Sequence, residues 1–178
     1  SSSLHYWDDG SDIYAGKDLK AGGSWFGINK TGKLAAITNF REMNNIKKSR
    51  YDKDVPYTPS RGKLVIDYLR NNISVDEYKN YLNKTANDFN GYNLIYGNIN
   101  ELFYFSNETK DFKELNQGIY GISNHLLDTP WFKVRKGKYL FNELLKKDEI
   151  LVDDIFKILM DDEKANDNEL PSTGLNKK

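Results

Sequence analysis

The chain has no cysteine, and only four prolines, two methionines and two histidines among its 178 residues. Without cysteine it has no disulfide frame, no thiolate metal site and no cysteine nucleophile. It also lacks an excess of either charge, with 26 Lys plus Arg against 26 Asp plus Glu. That balance leaves no electrostatic footprint for a duplex or an anionic membrane, so no nucleic-acid partner is expected. No apolar run approaches the roughly 20 residues that span a bilayer, so no stable membrane insertion is expected either. The segment Ser1-Ser2-Ser3-Leu4-His5-Tyr6-Trp7 has neither a basic stretch nor an apolar one of the targeting kind, which favours a cytoplasmic location.

What the chain does have is aromatic. Its mean hydropathy of −0.74 is low for a folded protein, so 12 Tyr, 9 Phe and 3 Trp must supply much of the core. Each such ring buries roughly 150–250 Å². The length fits a single soluble domain over residues 1–178.

The hydrophobic periods alternate between strand and helix blocks. Trp25-Phe26-Gly27-Ile28 and Leu34-Ala35-Ala36-Ile37-Thr38 read as a hairpin turning at Gly32, with both faces covered because apolar residues run nearly unbroken. Residues 42–59 read as a loop. Ser60 then stands as N-cap of a helix carrying Leu64, Val65, Tyr68 and Leu69. Ser74 with Glu77 forms a capping box for a second helix, carrying Tyr78, Tyr81 and Leu82. Asn93-Leu94-Ile95-Tyr96 and Leu102-Phe103-Tyr104-Phe105 flank a turn, and Gly118–Ile122 reads as a further strand. Two helices follow Pro130: one over 131–146, with Phe132, Tyr139, Leu140 and Leu144 inward, and one over 153–162. Residues 163–178 read as a loose tail. Blocks of strands and helices without βαβ alternation predict the α+β class, with an antiparallel-rich sheet.

Few motifs carry chemistry. Gly16 to Gly23 is glycine-rich but lacks the Lys-Ser/Thr ending of a phosphate loop. Leu170-Pro171-Ser172-Thr173-Gly174 matches a sortase signal, but the apolar span such a signal needs does not follow it. His125 lies in a polar, aromatic, turn-rich run, Ser123-Asn124-His125-Leu126-Leu127-Asp128-Thr129-Pro130-Trp131, of the kind that forms site loops. Neutral imidazole is the commonest metal ligand, yet no second ligand stands at metal spacing, so no metal site is expected. Asn39 at a strand end offers an amide donor, and Arg41 and Arg61 offer bidentate grips on a carboxylate or phosphate. From the residues alone, turn hydrogen bonds and surface ion pairs account for these three more simply.

Several blocks together resemble a known family. Ala15-Gly16-Lys17-Asp18, Gly22-Gly23-Ser24-Trp25-Phe26-Gly27, Thr38-Asn39-Phe40-Arg41 and Ser60-Arg61-Gly62 resemble the NRDE family, also called transport and Golgi organization protein 2. Asn90-Gly91-Tyr92-Asn93-Leu94, Tyr120 through Trp131 and Leu170-Pro171-Ser172-Thr173-Gly174 resemble its later blocks, which sets the sortase reading aside. The family's Met-Cys start, its Asn-Arg-Asp-Glu motif and its final Gly-Thr-Arg-Ser block are absent. The chain therefore reads as one domain, incomplete at both ends.

The resemblance implies an N-terminal-nucleophile-like αββα sandwich. It also implies a soluble protein that binds and releases haem or a similar apolar small ligand without chemistry, with no cofactor required. Its ligand-binding residues would be Trp25, Asn39, Arg41, Arg61, Ser123, Asn124 and His125. Arg41 or Arg61 would meet propionates, and His125 would approach iron. Two alternatives follow from the same family. One is an amidohydrolase whose Cys lies outside this chain, so that the chain as given carries no catalytic residue. The other is an interaction protein of the secretory pathway. In a eukaryote the resemblance admits a mitochondrial or Golgi-associated location beside the cytoplasmic one. The oligomeric state is not set by the sequence.

Overall fold

The computed structural model describes residues 1–41 and 58–166. Among them seven strands form one antiparallel sheet: β1 (Ser2–Tyr6), β2 (Ile13–Lys17), β3 (Phe26–Asn29), β4 (Lys33–Asn39), β5 (Tyr92–Asn98), β6 (Leu102–Ser106) and β7 (Phe112–Leu115). Sheet order equals chain order. The connection from β4 to β5 carries α1 (Gly62–Arg70) and α2 (Val75–Thr85), while α3 (Phe132–Leu144) and α4 (Val152–Leu159) follow the sheet. The α+β expectation with an antiparallel sheet holds. The predicted 42–59 loop lies mostly outside the described residues, as do 167–178 of the tail and the Leu170–Gly174 element.

One face of the sheet is closed. Register sets Ala35 opposite Tyr96, Ile37 opposite Leu94, Leu94 opposite Phe105 and Tyr96 opposite Phe103, all on the same face and all buried. Leu64, Val65, Tyr68 and Leu69 of α1, and Tyr78 and Leu82 of α2, complete that core. Burying one such side chain stabilises by roughly 1.5–3 kcal/mol. Tyr68, Tyr78 and Tyr96 pack in a triangle with ring centroids 4.9 to 5.1 Å apart. The Tyr78 hydroxyl donates to the Leu64 carbonyl at 2.6 Å and so staples α2 to α1. The capping box forms as predicted: Ser74 N donates to Glu77 Oε2 at 2.9 Å and Glu77 N to Ser74 Oγ at 3.3 Å.

The opposite face corrects one expectation. Tyr6, Phe26 and Ile28 share it and are 58%, 48% and 39% exposed, so the hairpin is covered on one face only. Three further expectations shift. The N-cap of α1 is Arg61, not Ser60, and no side chain caps it. Here α1 begins hard against another backbone, and a Cβ on Gly23 would lie 2.5 Å from the Gly62 carbonyl carbon. Gly118–Ile122 is not a strand, because the Gly121 N–H is taken by the Asp128 carboxylate and its carbonyl by the Asp128 N–H, each at 2.8 Å. The seventh strand is instead Phe112–Leu115.

Strands β1 and β2 had no reading as strands, since Ser-Ser-Leu-His-Tyr lacks a clear alternation. The helices after Pro130 form, but the buried residues of α3 are Val134 and Leu144, while Tyr139 is 63% exposed. No residue of α4 is buried; it packs on α3 and is tied to that helix's C-terminal end by the Lys147–Asp154 ion pair at 3.0 Å.

Candidate functional site

The segment from Gly118 to Trp131 lies against the less covered sheet face at the Asn39 end of β4. Three successive carbonyls anchor it. Thr38 Oγ1 donates to Ser123 O at 2.9 Å, Arg41 N to Asn124 O at 2.8 Å, and Asn93 Nδ2 to His125 O at 3.0 Å. Asn93 is fully buried in β5 and uses both ends of its amide, because its Oδ1 accepts from Tyr104 Oη at 2.7 Å. That hydroxyl in turn accepts from Leu127 N at 3.2 Å. Burial is the main cause that raises the Tyr104 pKa, so the hydroxyl keeps its proton and its donor role. Asn124 Nδ2 reaches back to Asn39 O at 3.0 Å.

Within this frame the His125 ring packs against two aromatic rings, with centroids 5.0 Å from Phe40 and 5.5 Å from Trp131. Its Nδ1 lies 2.8 Å from Thr129 Oγ1. Asp128, in the left-handed region at φ 58°, holds the segment to α3 through Lys138 Nζ at 2.7 Å. Burial alone would raise the Asp128 pKa, but the Lys138 ammonium and the Gly121 N–H outweigh it and hold the carboxyl below its usual range.

Beside these residues an open groove of about 650 Å³ runs between the segment and the α3–α4 pair. Ile119, Ile122, Val134, Phe141 and Ile158 make it mainly apolar, and Lys133 and Lys138 add positive charge. Ser123, another lining residue, has a buried Oγ without a hydrogen-bond partner among the described residues. A side chain at Gly137 would meet nothing within 4 Å, so that wall has room. The volume lies in the range of small-molecule sites.

The structure thus brings Asn39, Arg41, Ser123, Asn124 and His125 together. Two expected members take no part in these tethers, although Arg61 is near: the Gly91 carbonyl it bonds also accepts from Phe40 N at 2.9 Å. Arg61 Nη1 donates to Gly91 O at 3.0 Å, which employs its guanidinium in the backbone frame. Trp25 is half-exposed and its indole has no hydrogen bond or ring contact among the described residues. Sequence reasoning did not single out Asn93, Tyr104, Asp128, Thr129 or Lys138. The signal for Asn93 was present, since an amide inside an otherwise apolar strand must find buried partners.

Among the described residues no cluster of three His, Cys, Asp or Glu could hold a metal ion, and no helix is long and apolar enough to cross a membrane.

Comparison with known proteins places this geometry in a family. The family model described as Transport and Golgi organisation 2 matches residues 1–178. The chain is 32% identical over 164 residues to the mouse Transport and Golgi organization 2 homolog, covering 87% of this chain and 56% of that protein. The human homolog matches with the same identity and coverage, and the bovine one is 30% identical over 172 residues, covering 89% and 59%. The chain therefore spans just over half the length of these relatives. On this evidence the chain belongs to the transport and Golgi organisation 2 family.

Proposed function

We propose that this chain is part of a protein that binds and releases a flat, apolar small ligand of the haem type, without chemistry. The observation that carries the reading is the 650 Å³ apolar groove lined by Ser123 and Asn124, with the next residue, His125, in contact with the Phe40 and Trp131 rings. Planar apolar ligands stack on such rings, and a few fixed polar groups orient them. His125 would approach the iron. Lys133 lines the groove and suits a ligand carboxylate, whereas Lys138 is already paired with Asp128; Arg41, outside the lining, has no ion-pair partner among the described residues.

The open sheet face supports the αββα reading of the complete fold. An apolar sheet face must be buried against another layer, and a second sheet over Phe26 and Ile28 would supply one. The chain's share of its relatives' length leaves room for that layer.

A haemin titration followed by difference absorption tests the ligand reading. The expected result is a shifted, sharpened Soret band that weakens in His125→Ala. A spectrum identical to free haemin sinks the proposal. One observation favours the amidohydrolase reading as a second: Asn124 Nδ2 gives one of its two hydrogens to the Asn39 carbonyl at the end of β4, which leaves the other to hold an oxyanion there. A covalent adduct with an acyl-amide substrate, seen by mass spectrometry on a longer chain carrying the family's Cys, would favour it over simple binding.

A further inference from the structure

The hydrogen bonds around Thr129 fix more than the position of His125. A threonine hydroxyl has one hydrogen to give. Thr129 Oγ1 lies 2.8 Å from Leu126 O, and a carbonyl oxygen can only accept, so that hydrogen is committed to Leu126. The backbone N–H of Thr129 donates to the same carbonyl at 3.1 Å and holds the turn. Toward His125, then, Thr129 Oγ1 can only accept. The 2.8 Å contact with Nδ1 requires Nδ1 to carry the proton. In the neutral ring Nε2 is then the bare nitrogen. Nε2 has no hydrogen-bond partner among the described residues. A half-turn of the ring about χ2 would put Cδ2 where Nδ1 now stands and lose the 2.8 Å contact, so the bond to Thr129 also sets which way the ring faces.

We infer that Thr129 is a positioning residue that fixes His125 in the Nδ1–H tautomer, so that Nε2, which no described residue engages, keeps its lone pair as an electron-pair donor for a ligand that reaches the ring. The matching ligand carries an electron-pair acceptor, which is either a metal centre with an open position or an N–H or O–H group. The tautomer stands on hydrogen bonds alone. Its use in binding rests on the ligand reading given above.

The test uses ¹⁵N-labelled histidine and long-range ¹H–¹⁵N correlation at alkaline pH, where the ring is neutral. The chain has two histidines, and His125→Ala assigns the signals. Wild type and Thr129→Ser are expected to show a protonated Nδ1 and a bare Nε2. Thr129→Val is expected to move toward the Nε2–H form, which free histidine prefers. A wild-type ring in the Nε2–H form overturns the inference, as does a Thr129→Val spectrum equal to wild type. If Thr129→Val does not fold, the wild-type and Thr129→Ser spectra still decide.

Haemin and iron-free protoporphyrin then separate the two acceptors. Binding weakened several-fold by Thr129→Val for haemin alone points to the metal, and for protoporphyrin alone to its inner N–H groups, which haemin lacks; equal weakening of both means that the variant disturbs the site as a whole and overturns the role of the lone pair. Binding of both that ignores Thr129 overturns the role in recognition. Absence of any porphyrin binding, with the Nδ1–H tautomer observed, removes the ligand reading and leaves the tautomer standing.

Discussion

Beneath α1 and α2 the sheet is sealed by buried aromatic and aliphatic side chains. On the other face the segment from Gly118 to Trp131 is held by polar tethers to three successive carbonyls, and the α3–α4 pair beyond it keeps its apolar side chains largely exposed. The first face rests on area and the second on a few directional bonds. Area is forgiving of small shifts and costly to remove. Directional bonds give a fixed geometry for less stabilisation, and they leave the groove beside the segment open.

Substitutions can break this contrast. The largest loss is expected for Leu64→Ala in the sealed core, roughly 2–5 kcal/mol in urea unfolding. A loss under about 1 kcal/mol would mean that α1 is not the cover it is described as. Asn93→Ala comes next. It leaves His125 O and Tyr104 Oη short of partners in a buried place, and roughly 1–3 kcal/mol is expected. The same variant should also loosen the ring contacts of His125, seen as a change in its proton shifts.

Asp128→Asn tolerates the left-handed backbone but loses the charge, and about 0.5–1 kcal/mol is expected because the pair is one-third exposed. Its pH dependence has a definite sign. The Asp128 pKa is lowered in the fold, so its contribution is present above the unfolded value of about 3.9 and is lost as pH falls through the folded one. Wild type and Asp128→Asn should therefore converge in stability as pH drops below about 4, which urea titrations at neutral and acid pH will show.

The smallest effects test the contrast from the other side. Phe156→Ala on the exposed face of α4 is expected within about 0.5 kcal/mol of wild type. Tyr96→Phe should be neutral or stabilising even though the ring is fully buried, because its hydroxyl has no partner. Tyr78→Phe, by contrast, should lose about 1 kcal/mol with its bond to Leu64 O.

Some of this architecture was legible from the residues. The Ser74–Glu77 box, the Gly32 turn and the paired runs of β5 and β6 rest on local chemistry, and local chemistry is written in consecutive positions. The 118–122 run failed as a strand because Asp128 satisfies Gly121, a preference no strand pattern encodes. β1 was illegible because its residues gain their role from β2 and not from their own alternation. The site divides in the same way. The Ser123–His125 run was legible as part of a polar, turn-rich stretch, whereas Asn39 and Arg41 entered the site only through the family resemblance. Asn93 and Tyr104 were read as strand residues, and only the register, which sets Asn93 opposite both Thr38 and Ser106, shows that they face the tethered segment. Trp25 and Arg61 belong to conspicuous blocks, but Arg61 serves the backbone frame at Gly91.

Sheet order equal to chain order has a consequence for how the protein folds. Six neighbouring pairs join the seven strands, and five of them close over short connections. These can form early and independently, as two meanders, β1 to β4 and β5 to β7. The β4–β5 ladder is the exception, running from Lys33 opposite Asn98 to Asn39 opposite Tyr92 across the stretch that carries α1 and α2. Its formation must wait for the long loop to close, and loop closure is where non-local sheets lose speed. The rate of folding should therefore answer to changes along β4 and β5 and to the length of the connection between them, while changes in β1 or β7 act mainly on unfolding.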